Sequence, residues 1–166
     1  FFNIWIPVGA RYSNILTTIF PFLFPLTIAV TAAISEEFVF RLFTISFLEK
    51  LLKNYFLAIF ISAAVWAFGH SNYAVFPVYV RGIELTIAGI IFGFFFLRFG
   101  LEVVIIAHYV VDAILVSLPL LWSHNMYYIY SGAVVICLAA LTPLIFMAIF
   151  RIRYSLLQAE ENKEAI

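Results

Sequence analysis

The stretch EEFVFR, residues 36–41, decides the fold of this chain because it places three charges inside an apolar run. The surrounding residues, 26–48, are otherwise apolar enough to cross a membrane as a helix. A charged side chain at the centre of a bilayer costs roughly 2.5–3.5 kcal/mol on insertion scales. Three such charges within six residues therefore indicate a functional site.

Helical spacing separates the roles of the three charged side chains. Glu37 and Arg41 stand four residues apart with the acid first, which is the favourable order for an ion pair on one helix face. Glu36 points about 100° away from that pair if the helix has 3.6 residues per turn. We therefore expect Arg41 to hold and largely neutralise Glu37, and Glu36 to remain available for chemistry.

Composition indicates a membrane protein. Of the 166 residues, 66% are hydrophobic and 11% are charged, whereas soluble domains carry about 25% charged residues. The mean hydropathy is +1.12. The net charge is zero and there is no basic tract, which argues against nucleic acid as a partner. Cys137 is the single cysteine, so it can form no disulfide within the chain.

Hydrophobic runs of sufficient length predict an all-α fold, a polytopic transmembrane helix bundle with about five spans in this segment. The expected spans are 26–48, 55–70, 83–97, 101–122 and 127–150. The expected organisation is an interfacial or preceding-helix segment at 1–25, a four-span core at 26–122, a fifth span at 123–150 and a cytoplasmic tail at 151–166. Pro21 and Pro25 should break the first apolar run, and the tail should fray by Glu160. The start at Phe1 favours the C-terminal part of a longer protein.

The distribution of positive charge predicts the orientation of the spans. Most cationic side chains fall on one face, which we expect to be cytoplasmic together with the C-terminus: Lys50, Lys53, Arg98, Arg151, Arg153 and Lys163. The opposite face has only Arg11 and Arg81.

Three further ionisable side chains, His70, His108 and Asp112, lie in the predicted spans. His108 and Asp112 are four residues apart and share one helix face. Counting 1.5 Å per residue from the nearest cytoplasmic cation places these three and Glu36 about 15–26 Å deep, inside a hydrocarbon core about 30 Å thick. A buried glutamate with two histidines and an aspartate fits activation of water by a general base. The same set could bind a divalent metal.

Two other features of the apolar runs have structural interpretations. Glu84 is expected to open the third span, where an acid suits the positive end of the helix dipole. Gly89 and Gly93 form a G-x-x-x-G pattern, which predicts close approach of a neighbouring helix.

Three motifs in order on successive spans resemble the family of CAAX proteases and bacteriocin-processing enzymes. This family comprises the type II CAAX prenyl endopeptidases and their prokaryotic relatives, which include proteins described as self-immunity proteins. The motifs are E-E-x-x-x-R, aromatic-x-x-x-H and H-x-x-x-[N/D], and here they extend from Glu36 to Arg41, from Trp66 to His70 and from His108 to Asp112. The resemblance covers residues 29–115, about half of the chain.

The resemblance implies an intramembrane endopeptidase that hydrolyses a peptide bond in a membrane-associated substrate. It implies that Glu36 and His70 activate the water, that His108 and Asp112 line the oxyanion side, and that three residues act as support: Glu37, Arg41 and Trp66. The implied partners are membrane lipids and a peptide or protein, lipidated in the best-known relatives, that reaches the bilayer. The expected location is integral to a membrane, with a prokaryotic plasma membrane favoured over the endoplasmic reticulum.

The chain departs from the family pattern at three positions. Trp66 stands where the family usually has Phe, Leu42 stands where many members have Gly after the Arg, and Asp112 stands where the eukaryotic enzymes have Asn. An ionised aspartate can accept a hydrogen bond or ligate a metal, but it cannot donate to an oxyanion. We expect Asp112 to orient His108 through the ring nitrogen that is not used in the chemistry.

Several alternatives remain open at this point. No cofactor is strictly needed, although a divalent ion such as zinc could be held by Glu36, His70, His108 and Asp112. The scaffold could also serve a non-catalytic bacteriocin-immunity or interaction protein. A third alternative is a proton or cation transporter, since intramembrane acids often mark such paths.

Overall fold

A bundle of apolar helices forms the protein, whose computed structural model describes residues 18–70 and 75–164. The elements in chain order are α1 (Leu23–Glu36), a π-helical segment (Glu37–Ile45), α2 (Ser46–Leu52), α3 (Tyr55–Gly69), α4 (Val78–Phe99), α5 (Leu101–Leu121) and α6 (Met126–Glu164). Within the described residues, four helices are long and apolar enough to cross a membrane, namely Leu23–Leu52, Tyr79–Phe99, Leu101–Leu121 and Met126–Gln158. Helix α3 is apolar but shorter. The prediction of an all-α polytopic bundle is confirmed.

The outer surface of the bundle is apolar. Large hydrophobic side chains such as Phe43, Leu51 and Phe56 are 66%, 67% and 71% exposed. Exposed apolar surface on this scale is unfavourable in water, whereas in a bilayer it faces hydrocarbon. The described helices therefore fit a protein whose outer faces contact lipid.

Several helix boundaries differ from the sequence prediction. The first helix begins at Leu23 and includes Pro25, because a proline in the first turn replaces an N–H that has no intrahelical partner. The predicted break at Pro21 is confirmed, because Pro21 precedes the helix, whereas the predicted break at Pro25 was wrong. Helix α4 begins at Val78 instead of 83, and α6 continues to Glu164, so the prediction of fraying by Glu160 was also wrong. Residues 1–17, the larger part of the predicted 1–25 segment, lie outside the described residues.

The helices pack in two groups that meet at the charged segment. Helix α5 packs against α1 and α6, and α3 packs against α4. Small residues build the first contact, where Ala29, Ala113 and Ala139 are fully buried. Ile45, at the end of the π-helical segment, joins Ala58 and Ile59 in the second contact. The segment with the three charges therefore lies between both groups.

Gly89 and Gly93 allow α4 to approach α3 closely, as the G-x-x-x-G spacing predicts. A Cβ atom added at Gly89 would lie 2.9 Å from the Cβ of Ala63, and one at Gly93 would lie 2.7 Å from Cγ2 of Ile59. Both distances are shorter than van der Waals contact. Glycine is needed at these positions because there is no space for a side chain.

We expect Gly93→Ala to lower the melting temperature. Ile59 is buried and β-branched, so its side chain has little freedom to move away from the added methyl group. Such overpacking costs about 1–3 kcal/mol, which should exceed the roughly 1 kcal/mol that alanine gains over glycine in a helix. Gly69→Ala is the matched control, because a Cβ there meets nothing within 4 Å. A Gly93→Ala protein that melts at or above the control would contradict the close contact.

Candidate active site

Glu37 and Arg41 form a buried ion pair in the π-helical segment, as their spacing predicts. Arg41 Nε lies 3.0 Å from Glu37 Oε2, and the two side chains are 1% and 0% exposed. The guanidinium also lies over the rings of Trp66 and Phe92, with Cζ at 4.5 Å and 5.5 Å from the ring centroids. Its Nη1 and Nη2 atoms have no hydrogen-bond partner among the described residues. Cation–π contacts therefore provide part of the stabilisation that hydrogen bonds would otherwise give to the buried guanidinium.

A π-helical segment begins directly after Glu36. Such segments are rare and often occur at functional sites. Two hydroxyls support the winding: Thr44 donates to the Val39 carbonyl at 2.7 Å, and Ser62 of α3 donates to the Phe40 carbonyl at 2.5 Å. Glu36 and Glu37 themselves keep right-handed helical dihedral angles and point to different partners, Glu36 to Trp66 and Glu37 to Arg41. Both glutamates nevertheless approach the same histidine.

That histidine, His108 of α5, is buried and has carboxylates at both ring nitrogens. Its Nδ1 lies 2.6 Å from Glu37 Oε1, and because an ionised carboxylate only accepts, Nδ1–H is the donor. Its Nε2 lies 3.4 Å from Asp112 Oδ2 and 3.9 Å from Glu36 Oε2. Glu37 thus orients the ring, whereas Asp112 was expected to do so. Asp112 instead faces the same nitrogen that Glu36 approaches.

His70 directly follows α3, and a contact with the backbone determines which of its ring nitrogens carries the proton. Its Nδ1 lies 2.7 Å from the carbonyl oxygen of Trp66. A carbonyl can only accept, so Nδ1 carries the proton and the neutral ring has its lone pair on Nε2. That Nε2 lies 3.7 Å from Glu36 Oε1.

Glu36 is the point where all these groups meet. Its Oε2 accepts a hydrogen bond of 2.5 Å from Nε1–H of Trp66, and its Oε1 faces His70. The side chain is 25% exposed, whereas that of Glu37 is fully buried. The convergence expected for Glu36, His70, His108 and Asp112 is therefore present, and Glu36, unlike Glu37, can be reached from outside the protein.

Two contacts at the site were not anticipated from the sequence. Phe92 of α4 packs on His108 with ring centroids 5.5 Å apart, and nothing in its apolar surroundings distinguishes it from other phenylalanines. The indole N–H of Trp66 had a sequence signal, because a buried tryptophan needs an acceptor for that group.

Glu84 lies outside the site. It is in the second turn of α4, so the expected position at a helix start was wrong because the helix begins earlier. Arg81 Nη1 donates to Glu84 Oε2 at 2.8 Å, and Glu84 is 62% exposed. The contact is a surface ion pair within one helix, which fits a structural role.

Part of the donor set predicted for a metal is already used in other contacts. No group of three or more His, Cys, Asp or Glu side chains among them is arranged to hold a metal ion. The Nδ1 atoms of both histidines are used in hydrogen bonds to Glu37 and to the Trp66 carbonyl. Oε2 of Glu36 is also occupied, by the indole of Trp66.

An apolar cavity of about 340 Å³ lies between α1, α5 and α6. It begins one helical turn from Glu36 on α1 and one turn from His108 on α5. Its lining is mostly aliphatic and consists of Val30, Ala33, Ile34, Ile105, Ile106, Tyr109 and Thr142.

The fold and the site together define a polytopic helical membrane protein with acids and histidines gathered between its helices. The chain matches the type II CAAX prenyl endopeptidase Rce1-like family over residues 18–114. This match covers more than half of the 166 residues and includes all three motifs. The protein belongs to this family of proteases.

A curated bacterial protein is also similar to this chain. The sporulation-killing factor biosynthesis protein SkfC of Bacillus subtilis (strain 168) is 31% identical over 101 residues, which are 61% of this chain and 20% of that protein. The matching part of the chain therefore spans about one fifth of the length of this relative. No solved structure matches the chain.

Proposed function

We propose that this protein is an intramembrane endopeptidase that uses Glu36 and His70 to activate a water molecule. One observation carries the proposal: Glu36 Oε1 and His70 Nε2 face each other at 3.7 Å, while the second polar atom of each side chain is already engaged. Two acceptors at this separation suit a water molecule that donates one hydrogen to each of them. The water oxygen then keeps a lone pair for attack on a carbonyl carbon.

Glu36 acts as the general base in this mechanism. It takes a proton from the water as the oxygen bonds to the carbonyl carbon of the scissile peptide. It then gives that proton to the leaving nitrogen when the carbon–nitrogen bond breaks. The carboxylate ends the cycle ionised, and the two products are a carboxylic acid and an amine.

His108 stabilises the oxyanion that forms on the attacked carbonyl. In this mechanism His108 carries a proton on each ring nitrogen, because a neutral imidazole has only one N–H group. Its Nδ1–H is held by Glu37, so the ring cannot turn away, and its Nε2–H is directed toward Glu36. A preoriented donor at the place where charge develops contributes much of the rate enhancement in acyl transfer. The role of Asp112 is to accept from Nε2–H between turnovers, since an ionised carboxylate cannot itself donate to an oxyanion.

The substrate is a peptide or protein segment that enters from the bilayer. The apolar cavity next to the site is suited to a hydrophobic part of such a segment. We propose membrane lipids and this segment as the partners, and a prokaryotic plasma membrane with a cytoplasmic C-terminus as the location. The positive charges on one predicted face support this orientation.

The test is a hydrolysis assay on the purified protein in detergent or nanodiscs. Synthetic peptides with apolar segments are incubated with the protein in H₂¹⁸O, and the products are identified by mass spectrometry. Incorporation of ¹⁸O at a new C-terminus, absent with Glu36→Ala and present with Glu102→Ala, would support the proposal. Glu102 is an exposed acid on α5 and serves as the matched control. Binding of peptides without cleavage by a folded protein would favour the immunity or interaction alternative.

We expect hydrolysis to continue after exhaustive chelation. Glu36 cannot easily be both a metal ligand and the base, and Oε2 of Glu36 and Nδ1 of both histidines already have partners. The measurement compares activity before and after dialysis against a strong chelator, with elemental analysis of the purified protein. One equivalent of zinc that is lost in His108→Ala, with activity restored by added zinc, would overturn this expectation.

A further inference from the structure

We propose that Trp66 is a positioning residue that orients both water-activating groups, Glu36 through its side chain and His70 through its main chain. This inference rests on the proposed function. It states that one residue, Trp66, aligns the two groups that activate the water in that mechanism. Trp66 lies near the end of α3 and is 4% exposed. It contacts Arg41 as well as Glu36, and both histidine rings pack against the indole at steep angles.

The indole is fixed in one orientation by its surroundings. Arg41 Cζ lies 4.5 Å from the ring centroid, and His108 packs edge-on at 5.9 Å. On the α4 side, even a Cβ atom at Gly89 would lie 3.1 Å from Cε3 of Trp66, so the backbone of α4 closes that side. The N–H group of a clamped ring points in one direction, which here is Oε2 of Glu36 at 2.5 Å.

The main-chain carbonyl of Trp66 positions His70 because α3 ends at Gly69. The last four carbonyls of a helix lack intrahelical partners, and the carbonyl of residue 66 is one of them. It accepts Nδ1–H of His70 at 2.7 Å. This bond places the lone pair of His70 on Nε2, toward Glu36. The tautomer and the direction of the imidazole therefore both depend on where α3 ends.

The two contacts together select the atoms that meet the water. With Oε2 held by the indole, Oε1 is the carboxylate oxygen that faces His70 Nε2. Without the N–H group the carboxylate is free to rotate about its last side-chain bond, and the fraction of time that Oε1 faces His70 falls. An aromatic ring without an N–H group would preserve packing and lose this selection.

The test replaces the indole N–H and keeps the aromatic ring. Two variants remove the N–H group: Trp66→Phe, and replacement of Trp66 by 3-benzothienylalanine, in which a sulfur atom takes the place of the indole N–H. We expect each to lower kcat about 10-fold or more, the loss expected for a hydrogen bond to a charged group. KM should stay within about twofold, because remote substrate contacts are unchanged. Trp122→Phe is the matched control, since Trp122 is 62% exposed. Unchanged kcat in both Trp66 variants, or an equal loss in the control, would overturn the proposal.

A second readout separates this proposal from the proposed function. Nuclear magnetic resonance of ¹⁵N-indole-labelled protein should show one N–H resonance that disappears in Trp66→Phe and shifts in Glu36→Ala. The same resonance should be unchanged in Glu102→Gln. If the wild-type protein hydrolyses nothing, the proposed function fails while this resonance still decides whether Trp66 holds Glu36. A Trp66 resonance that is unaffected by Glu36→Ala would overturn the positioning role even in an active enzyme.

Discussion

Glu36→Gln is expected to abolish hydrolysis while leaving the fold intact. Glutamine has nearly the same volume, and its carbonyl oxygen can still accept the hydrogen bond that Trp66 donates to Glu36. It cannot take a proton from water at neutral pH, so the base is lost. Removal of a general base typically lowers the rate by 10²–10⁴-fold. The measurement is kcat on a peptide substrate together with the melting temperature of each purified protein.

Glu102→Gln supplies the comparison for this loss. It makes the same chemical change on an exposed acid in the first turn of α5 and should retain wild-type kcat. Full activity of Glu36→Gln would remove Glu36 from the mechanism. A large fall in the melting temperature of Glu36→Gln would instead assign the residue a structural role, which its partial exposure does not suggest.

The sequence predicts the type of fold and most members of the site. Long apolar runs predict helices that span a membrane, because only apolar segments with internally satisfied backbones are stable in hydrocarbon. Charges inside those runs stand out for the same reason. Glu36, His70 and His108 were found because each is a costly side chain in an apolar run, and the structure brings the three together.

The π-helical winding that follows Glu36 could not be predicted. The expected spacing of the charged side chains assumed α-helical winding, whereas the helix changes to π-winding at Glu37. Part of the support for this winding comes from Ser62 on another helix, which donates to the Phe40 carbonyl. A contact between residues 22 positions apart is invisible to an argument based on local spacing.

The partner of His108 was missed for a related reason. Asp112 is four residues away on the same helix, so spacing favours it as the orienting group. Glu37 lies 71 residues away in sequence and yet holds Nδ1 at 2.6 Å. Spacing can identify neighbours on one helix, but only tertiary packing decides which of several acids reaches a given ring nitrogen.

Glu37→Ala and Arg41→Ala are expected to lower stability and activity together. Removal of one partner leaves a charge buried without compensation, at a cost of about 3–5 kcal/mol. The structure makes the two losses unequal, because Glu37 has a second partner in His108 whereas Arg41 keeps only aromatic faces. Glu37→Ala should therefore cause the larger fall in melting temperature, and it also releases the ring proposed to stabilise the oxyanion.

The double variant tests whether the two residues act as one unit. With both charges removed no unpaired ion remains, so the combined loss of stability should be smaller than the sum of the two single losses. Activity should not recover with stability, because His108 still lacks the acceptor for its Nδ1–H. The single variants Arg98→Ala and Glu102→Ala, which change two exposed residues, provide the control. Their effects on the melting temperature should be small and additive. Wild-type melting temperatures for both Glu37→Ala and Arg41→Ala would show that the buried pair does not stabilise the fold.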